Sequence, residues 1–90
     1  MNRYGEQVMA HWEENRPRAF RELDDPQAYF TDLGKVIERA VEGRARDLEG
    51  SGPDGEGYLL RLKRLNTAKM TAEGEVLREM ALLETEPEQE

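Results

Sequence analysis

The sequence has 90 residues and a mass of 10.4 kDa, enough for one domain, and it contains no cysteine. It carries 20 acidic residues against 13 basic ones, for a formal net charge of −7. These features exclude disulfides, zinc–thiolate sites and thiol catalysis, and they disfavour nucleic acid or an anionic membrane as the main partner. The charge favours solubility, or a basic protein surface as the partner.

The chain offers few of the side chains that catalysis uses. It has one histidine, His11, and one serine, Ser51, and the serine lies among glycines, where nothing would hold it in a catalytic triad. His11 and Glu14 share a helix face, but Gln7, one turn earlier, is a poor metal ligand. A structural or surface histidine is therefore the favoured interpretation. We expect a protein that is not an enzyme and that binds neither metal nor another cofactor.

No run of the sequence approaches 18 apolar residues, the minimum for a membrane-spanning helix. The first eight residues, MNRYGEQV, lack the apolar stretch of a signal peptide. We expect a cytoplasmic protein with no membrane partner.

The first two predicted elements are short helices. Asn2 can cap a helix near residues 3–15, on which Tyr4, Val8 and Trp12 recur every four residues and form one apolar stripe. The proline at position 17 breaks this stripe and is well placed to begin a second helix, near residues 17–23.

The second half of the chain predicts two long helices. Asp25 and the proline after it mark the start of a helix near residues 26–49, whose apolar positions keep helical spacing. Residues 50–57 form a glycine-rich, flexible connection, and a fourth helix follows near 58–83. The acidic tail, residues 84–90, is expected to be frayed.

These elements predict an all-α fold in which residues 1–83 form a single domain. The two long helices should form an antiparallel hairpin, with the shorter helices packed on it as a small bundle. Each long helix is about 36–39 Å long, whereas a compact chain of this size has a radius of gyration of about 12 Å. The short helices can cover only part of one side, so we expect the remaining apolar face to bind a second copy or a different protein.

Three polar residues fall within the apolar face of the fourth helix. That face is centred near Leu62 and Met80, and Asn66, Lys69 and Glu73 lie within about 40° of its centre. One interpretation is a Lys69–Glu73 pair at the rim, with the lysine head in water. The alternatives are a polar layer that sets the register of an oligomer, and a recognition site for a partner or ligand.

Two further residues are candidates for an interaction or register role. Gly34 lies inside the third helix, where an antiparallel hairpin would place it opposite Glu73, so it could allow a close approach or leave room for a polar side chain. The alternative is that Gly34 only accommodates the crossing of the first helix. Trp12 is interpreted as a core anchor, with an exposed binding residue as the alternative.

A short segment of the fourth helix, LLRLKRLNTAK, is basic in an otherwise acidic chain. Its four cations are Arg61, Lys63, Arg64 and Lys69. No aromatic residues are interleaved with them, so we interpret the segment mainly as a solvated helix face, with nucleic-acid contact as the lesser alternative.

The two ends of the chain resemble a known family. The opening has Tyr4-Gly5, Trp12 and Arg16-Pro17, and the closing segment has Leu65-Asn66, Lys69-Met70, Ala72-Glu73 and Val76-Leu77 before Glu79. These segments are similar to the two ends of the small transposon-encoded TnpV proteins, and to short open reading frames of actinobacterial phages and other mobile elements. Gly74 departs from the family pattern, which has a second acidic residue there. The resemblance implies a mobile-element context, and it suggests that Asn66, Lys69 and Glu73 belong together.

The sequence therefore predicts a small acidic, non-enzymatic helical accessory or adaptor protein of a phage or mobile element, which acts by binding a protein partner. The alternative is an acidic inhibitor that mimics nucleic acid, such as an anti-defence protein. A mimic needs carboxylates clustered on one face, whereas acids and bases are interleaved on the predicted helices.

Overall fold

The computed structural model describes residues 1–50 and 52–82, and helices make up most of this part of the chain. No strand occurs in it, so the predicted all-α class is confirmed. The helices are α1 (Arg3–Asn15), α2 (Pro17–Glu22), α3 (Pro26–Glu49) and α4 (Tyr58–Leu77), followed by a π-helical segment, Arg78–Leu82. The predicted acidic tail, residues 84–90, and the last predicted helical position lie outside the described residues.

Capping residues and prolines that can be identified in the sequence determine where the helices begin. The Asn2 side chain accepts a hydrogen bond from the Gly5 amide at 2.9 Å, and the Asp25 carboxylate accepts one from the Ala28 amide at 3.1 Å. Each side chain satisfies a backbone donor that the first turn of a helix leaves free. Prolines occupy the first positions of α2 and α3, where their missing amide hydrogen costs nothing.

The buried face of α4 differs from the predicted one. Leu62 and Met80, the predicted centre of the apolar face, are each 38% exposed, whereas Ala68, Ala72 and Val76 are buried. Small side chains let two helix backbones approach closely, so α4 turns its alanine side toward α3 and leaves its bulkier leucine side outside.

The hydrophobic core lies where three helices meet. Val8 of α1, Phe30 and Ile37 of α3, and Val76 of α4 have almost no exposed surface. Trp12 and other half-buried residues pack around them, and helix α1 contacts both α3 and the π-helical segment. We call this region the core end.

At the opposite end of the molecule, the described residues supply two helices. This end comprises Ala45–Glu49 of α3, the connection to α4, and Tyr58–Lys69 of α4, and we call it the loop end. Leu48 is 46% exposed and Leu59 is 72% exposed. The molecule measures 56 × 24 × 17 Å, and its radius of gyration of 16.4 Å exceeds the value of about 12 Å for a compact chain of this length.

Among the described residues, no helix is both long enough and apolar enough to cross a membrane.

Candidate partner-binding surface

Glu73 connects α4 to the start of α1. The Tyr4 hydroxyl donates a hydrogen bond to Glu73 Oε1 at 2.9 Å, and the Arg3 guanidinium pairs with the same oxygen. The hydroxyl also accepts a hydrogen bond from Arg3 at 3.1 Å. Burial raises the pKa of the Tyr4 phenol, and the hydrogen bond to Glu73 adds to that rise, while Arg3 acts in the opposite direction. Glu73 is therefore held by α1.

The predicted polar trio is divided between two places. Asn66 and Lys69 are exposed and line the same groove, whereas the Glu73 side chain is 22% exposed and faces α1. Among the described residues, Glu73 makes its ion pair with Arg3, so the predicted Lys69–Glu73 pair is wrong. The physical reason is that α1 brings a cation and a hydroxyl to Glu73, while Lys69 extends into solvent.

Gly34 lies against α1. A Cβ atom on Gly34 would collide with Asn2 Oδ1 and would come within 2.9 Å of the Gly5 amide nitrogen. The Asn2 side-chain amide also donates to the Gly34 carbonyl at 3.0 Å. The expectation that Gly34 faces Glu73 is therefore wrong, and the alternative, that it accommodates the crossing of α1, is confirmed. A second helical glycine, Gly5, makes a similar close approach to the Phe30 carbonyl. Glycines inside both helices are therefore the feature of the sequence that could have indicated the close contact between α1 and α3.

Trp12 is half-buried against the core. Its ring centroid lies 5.4 Å from that of Phe30 in an edge-on arrangement and 5.6 Å from that of Tyr29. The Arg16 guanidinium covers the ring at 4.7 Å from its centroid. These contacts place Trp12 in a packing role at the core end, far from the exposed leucines.

A groove of about 370 Å³ runs between α3 and α4 and begins at Tyr4, next to the first turn of α1. Val41 and Ala45 of α3 and Leu65 of α4 give it an apolar lining. The polar residues along it are Glu38, Glu42, Arg46 and Glu49 on α3, and Asn66 and Lys69 on α4. The groove is thus apolar at its centre, mainly acidic along α3, and carries a cation on α4.

The first half of α4 is apolar and cationic on its outside. Tyr58, Leu59 and Leu60 are exposed by 63–75%, and they fall on different sides of the helix because they are consecutive. Among the described residues, Lys63 and Lys69 have no carboxylate partner. The exposed leucines and these two lysines make the first half of α4 a candidate binding surface.

Arginines fix the loop end and the far end of α4 in ways that the sequence analysis missed. Arg64 pairs with Glu56 at 3.0 Å and also donates to the Glu49 carbonyl at the end of α3, which ties the glycine-rich connection to both helices. Arg44 pairs with Glu75 at 2.9 Å and with Glu79 at 2.8 Å, and it holds the pKa of the Glu79 carboxyl below its usual value. No local pattern reveals these pairs, because their members lie 8–35 positions apart.

The structure offers no metal centre in the part of the chain that it describes, where no group of three or more His, Cys, Asp or Glu side chains could hold an ion. His11 Nδ1 lies 3.2 Å from the side-chain amide nitrogen of Asn15, and His11 Nε2 is buried without a hydrogen-bond partner among the described residues. His11 is therefore a half-buried side chain that contacts its own helix.

Comparison of the chain with protein-family models, with curated proteins and with solved structures finds no match.

Proposed function

We propose that this chain is a small non-enzymatic helical accessory or adaptor protein that acts by binding a protein through its loop end. The observation that carries the proposal is the exposure of Leu59 and Leu60, by 72% and 63%, on two sides of a helix that borders an open apolar-lined groove. Leucines that stay in water on a folded domain lose the free energy that their burial would supply, about 25 cal/mol per Å². A partner that covers them recovers it.

The proposal includes an antiparallel hairpin of α3 and α4 that presents this surface rigidly. Two sets of contacts support it. The Glu49 carbonyl, at the end of α3, meets Arg64 near the start of α4, while Arg44 meets Glu79 beyond the end of α4. The distance along the chain between contacting residues therefore grows away from the connection, as it does in an antiparallel pair.

A mobile-element context and a cytoplasmic location are part of the same proposal. The two segments that resemble the TnpV proteins lie at opposite ends of the sequence, yet Tyr4 and Glu73, one from each, share a hydrogen bond of 2.9 Å. A contact between the two segments gives a physical reason for them to occur together.

The pairing of the carboxylates supports a binding module over a mimic of nucleic acid. Glu56, Glu73, Glu75 and Glu79 are each bound to an arginine of the same chain. Carboxylates neutralised in this way are poor stand-ins for phosphates, which present unpaired charge to a basic site.

The test is affinity capture of tagged full-length protein in its native host, followed by identification of the retained proteins. Three forms are compared: the parent, Leu59→Glu at the loop end, and Val36→Glu as a matched control. Val36 is also exposed, by 47%, but it lies on α3 away from the loop end. We expect a specific set of proteins with the parent and the control that is lost with Leu59→Glu. Retention of the same proteins by all three forms would contradict the proposal.

A further inference from the structure

The groove at the loop end continues the path that α1 occupies at the core end. At the core end, α1 packs against α3 and the π-helical segment, the Tyr4 hydroxyl reaches Glu73 of α4, and the groove begins beside Tyr4. From Glu38 to Glu49 the groove follows twelve residues of α3, about 18 Å at 1.5 Å per residue. One more helix of that length would complete the loop end as a three-helix layer.

The exposed half of α4 has the length of the missing helix. Tyr58 to Lys69 is also twelve residues, or about 18 Å. Leu59 and Leu62 share one side of it and are 72% and 38% exposed, while Ala68, on another side, is buried. The chain thus contains both an open groove and a helix segment of the same length with an exposed apolar side.

The charges of the two surfaces are opposite. From Tyr58 to Ala72 the sequence has four cations and no acidic residue, which leaves a net charge of −11 for the rest of the chain. Along α3 the groove presents Glu38, Glu42 and Glu49, with Arg46 as its one cation. A second copy of this chain therefore offers the exposed half of α4 both an apolar floor and a largely acidic wall.

We propose that the loop end binds a second copy of this chain, with the first half of α4 from each copy lying in the α3–α4 groove of the other. The inference rests on the proposed function and names the occupant of its surface. Two-fold symmetry makes the two contacts of this dimer equivalent, because α4 of each copy lies in the groove of the other. Lys63 lies on the same outer side of α4 as Leu59, and in this arrangement it faces the α3 carboxylates of the second copy, among them Glu42.

The apolar residues that this interface covers lie on the outer side of α4 and in the groove. Leu59 and Leu62, which are three positions apart and so share one side of the helix, are 72% and 38% exposed, and the groove adds Ala45 and Leu65. A standard specific interface buries about 800 Å² per partner, so the charged residues beside these side chains belong to the proposed contact as well.

The first experiment measures the mass of the purified full-length protein in solution by sedimentation or light scattering, over a roughly 100-fold range of concentration. We expect twice the chain mass of 10.4 kDa for the parent and for the control variant Val36→Glu. Leu62→Glu should shift the protein to a monomer with unchanged helical circular dichroism. A parent that stays monomeric throughout, or a Leu62→Glu variant as dimeric as the parent, would overturn the inference.

The second experiment exchanges the charges. Lys63→Glu and Glu42→Lys should each weaken self-association at least about tenfold, because each places like charges together twice in a symmetric dimer. An equimolar mixture of the two variants should form a heterodimer, since both contacts are then between opposite charges. Absence of the heterodimer would overturn the placement of α4 against α3.

These results separate the inference from the proposed function. A protein that is monomeric when pure, yet retains host proteins through Leu59, overturns the inference and supports the proposed function. A dimer that captures no host protein supports the inference and contradicts the adaptor role.

Discussion

The core end and the loop end are built on the same two helices, yet they differ in what covers them. At the core end, α1 lies against α3 and the π-helical segment, and Phe30, Ile37 and Val76 are completely or almost completely buried. At the loop end no third helix comes from the part of the chain that the structure describes, and Leu48 and Leu59 are 46% and 72% exposed. Two packed helices bury one face each, so a third layer is needed to bury residues on the groove side. The difference shows that the chain builds its core at one end and leaves apolar side chains of the other end exposed.

The largest expected effect is a difference in the free energy of unfolding between a core-end variant and a loop-end variant. Phe30→Ala removes a completely buried ring that contacts Trp12 and Phe20, so it should lower the free energy of unfolding by about 3–5 kcal/mol. Leu60→Ala, at an exposed position of the loop end, should change it by less than about 0.5 kcal/mol. Urea denaturation followed by circular dichroism measures both. Equal losses would show that the two ends are packed alike.

The second prediction compares two glycines of α3. Gly34→Ala should destabilise the protein by about 1–3 kcal/mol, because the new methyl group collides with the start of α1. Gly43→Ala has open space around it and should stabilise the protein by up to about 1 kcal/mol through helix propensity. The melting temperatures of the two variants should move in opposite directions from the parent. A rise for both would mean that α1 does not need its close contact with α3.

The sequence predicted the features that depend on near neighbours. The caps at Asn2 and Asp25 and the prolines that begin α2 and α3 act within one helical turn, so position and residue type suffice. The buried side of α4 did not follow from its own pattern, because its leucine side is the more apolar one while the alanine side packs on α3. The partners of Glu73 and Arg44 could not be predicted from the sequence either, because they depend on how whole helices pack against one another.

The third prediction concerns the point where α1 meets α4. Glu73→Ala removes the acceptor of the buried Tyr4 hydroxyl and should cost about 1–3 kcal/mol of stability. Lys69→Ala, on the open groove, should change stability by less than about 0.5 kcal/mol. Chemical denaturation at low protein concentration keeps self-association out of the comparison. A larger loss of stability for Lys69→Ala than for Glu73→Ala would mean that Lys69, and not α1, supplies the stabilising contact to Glu73.

The smallest expected effect is a pH dependence of stability that arises from Tyr4 at the core end. Burial raises the pKa of Tyr4 above its ordinary value near 10, so the folded state holds its proton more tightly than the unfolded state. The resulting stabilisation is complete below pH 10 and is lost as the pH rises from there through the folded-state pKa. Tyr4→Phe should remove this alkaline loss. An absorbance titration of the folded parent should show a tyrosine that ionises above the ordinary value near 10, and Tyr4→Phe should remove that phase.

If the parent and Tyr4→Phe lose stability equally above pH 10, another group causes the alkaline loss of stability. The burial of the Tyr4 phenol then contributes nothing to the pH dependence.

The hydrogen bond between Tyr4 and Glu73 has a consequence for the order of folding. It joins residues 69 positions apart, whereas Arg64 and the Glu49 carbonyl are 15 apart. Closing the longer loop costs more chain entropy, so α3 and α4 should pair first and α1 should dock last. Amide hydrogen exchange should then release α1 before the middle of α3. When α1 opens, it uncovers Phe30 and Ile37, so the opened monomer exposes apolar side chains near both ends of α3.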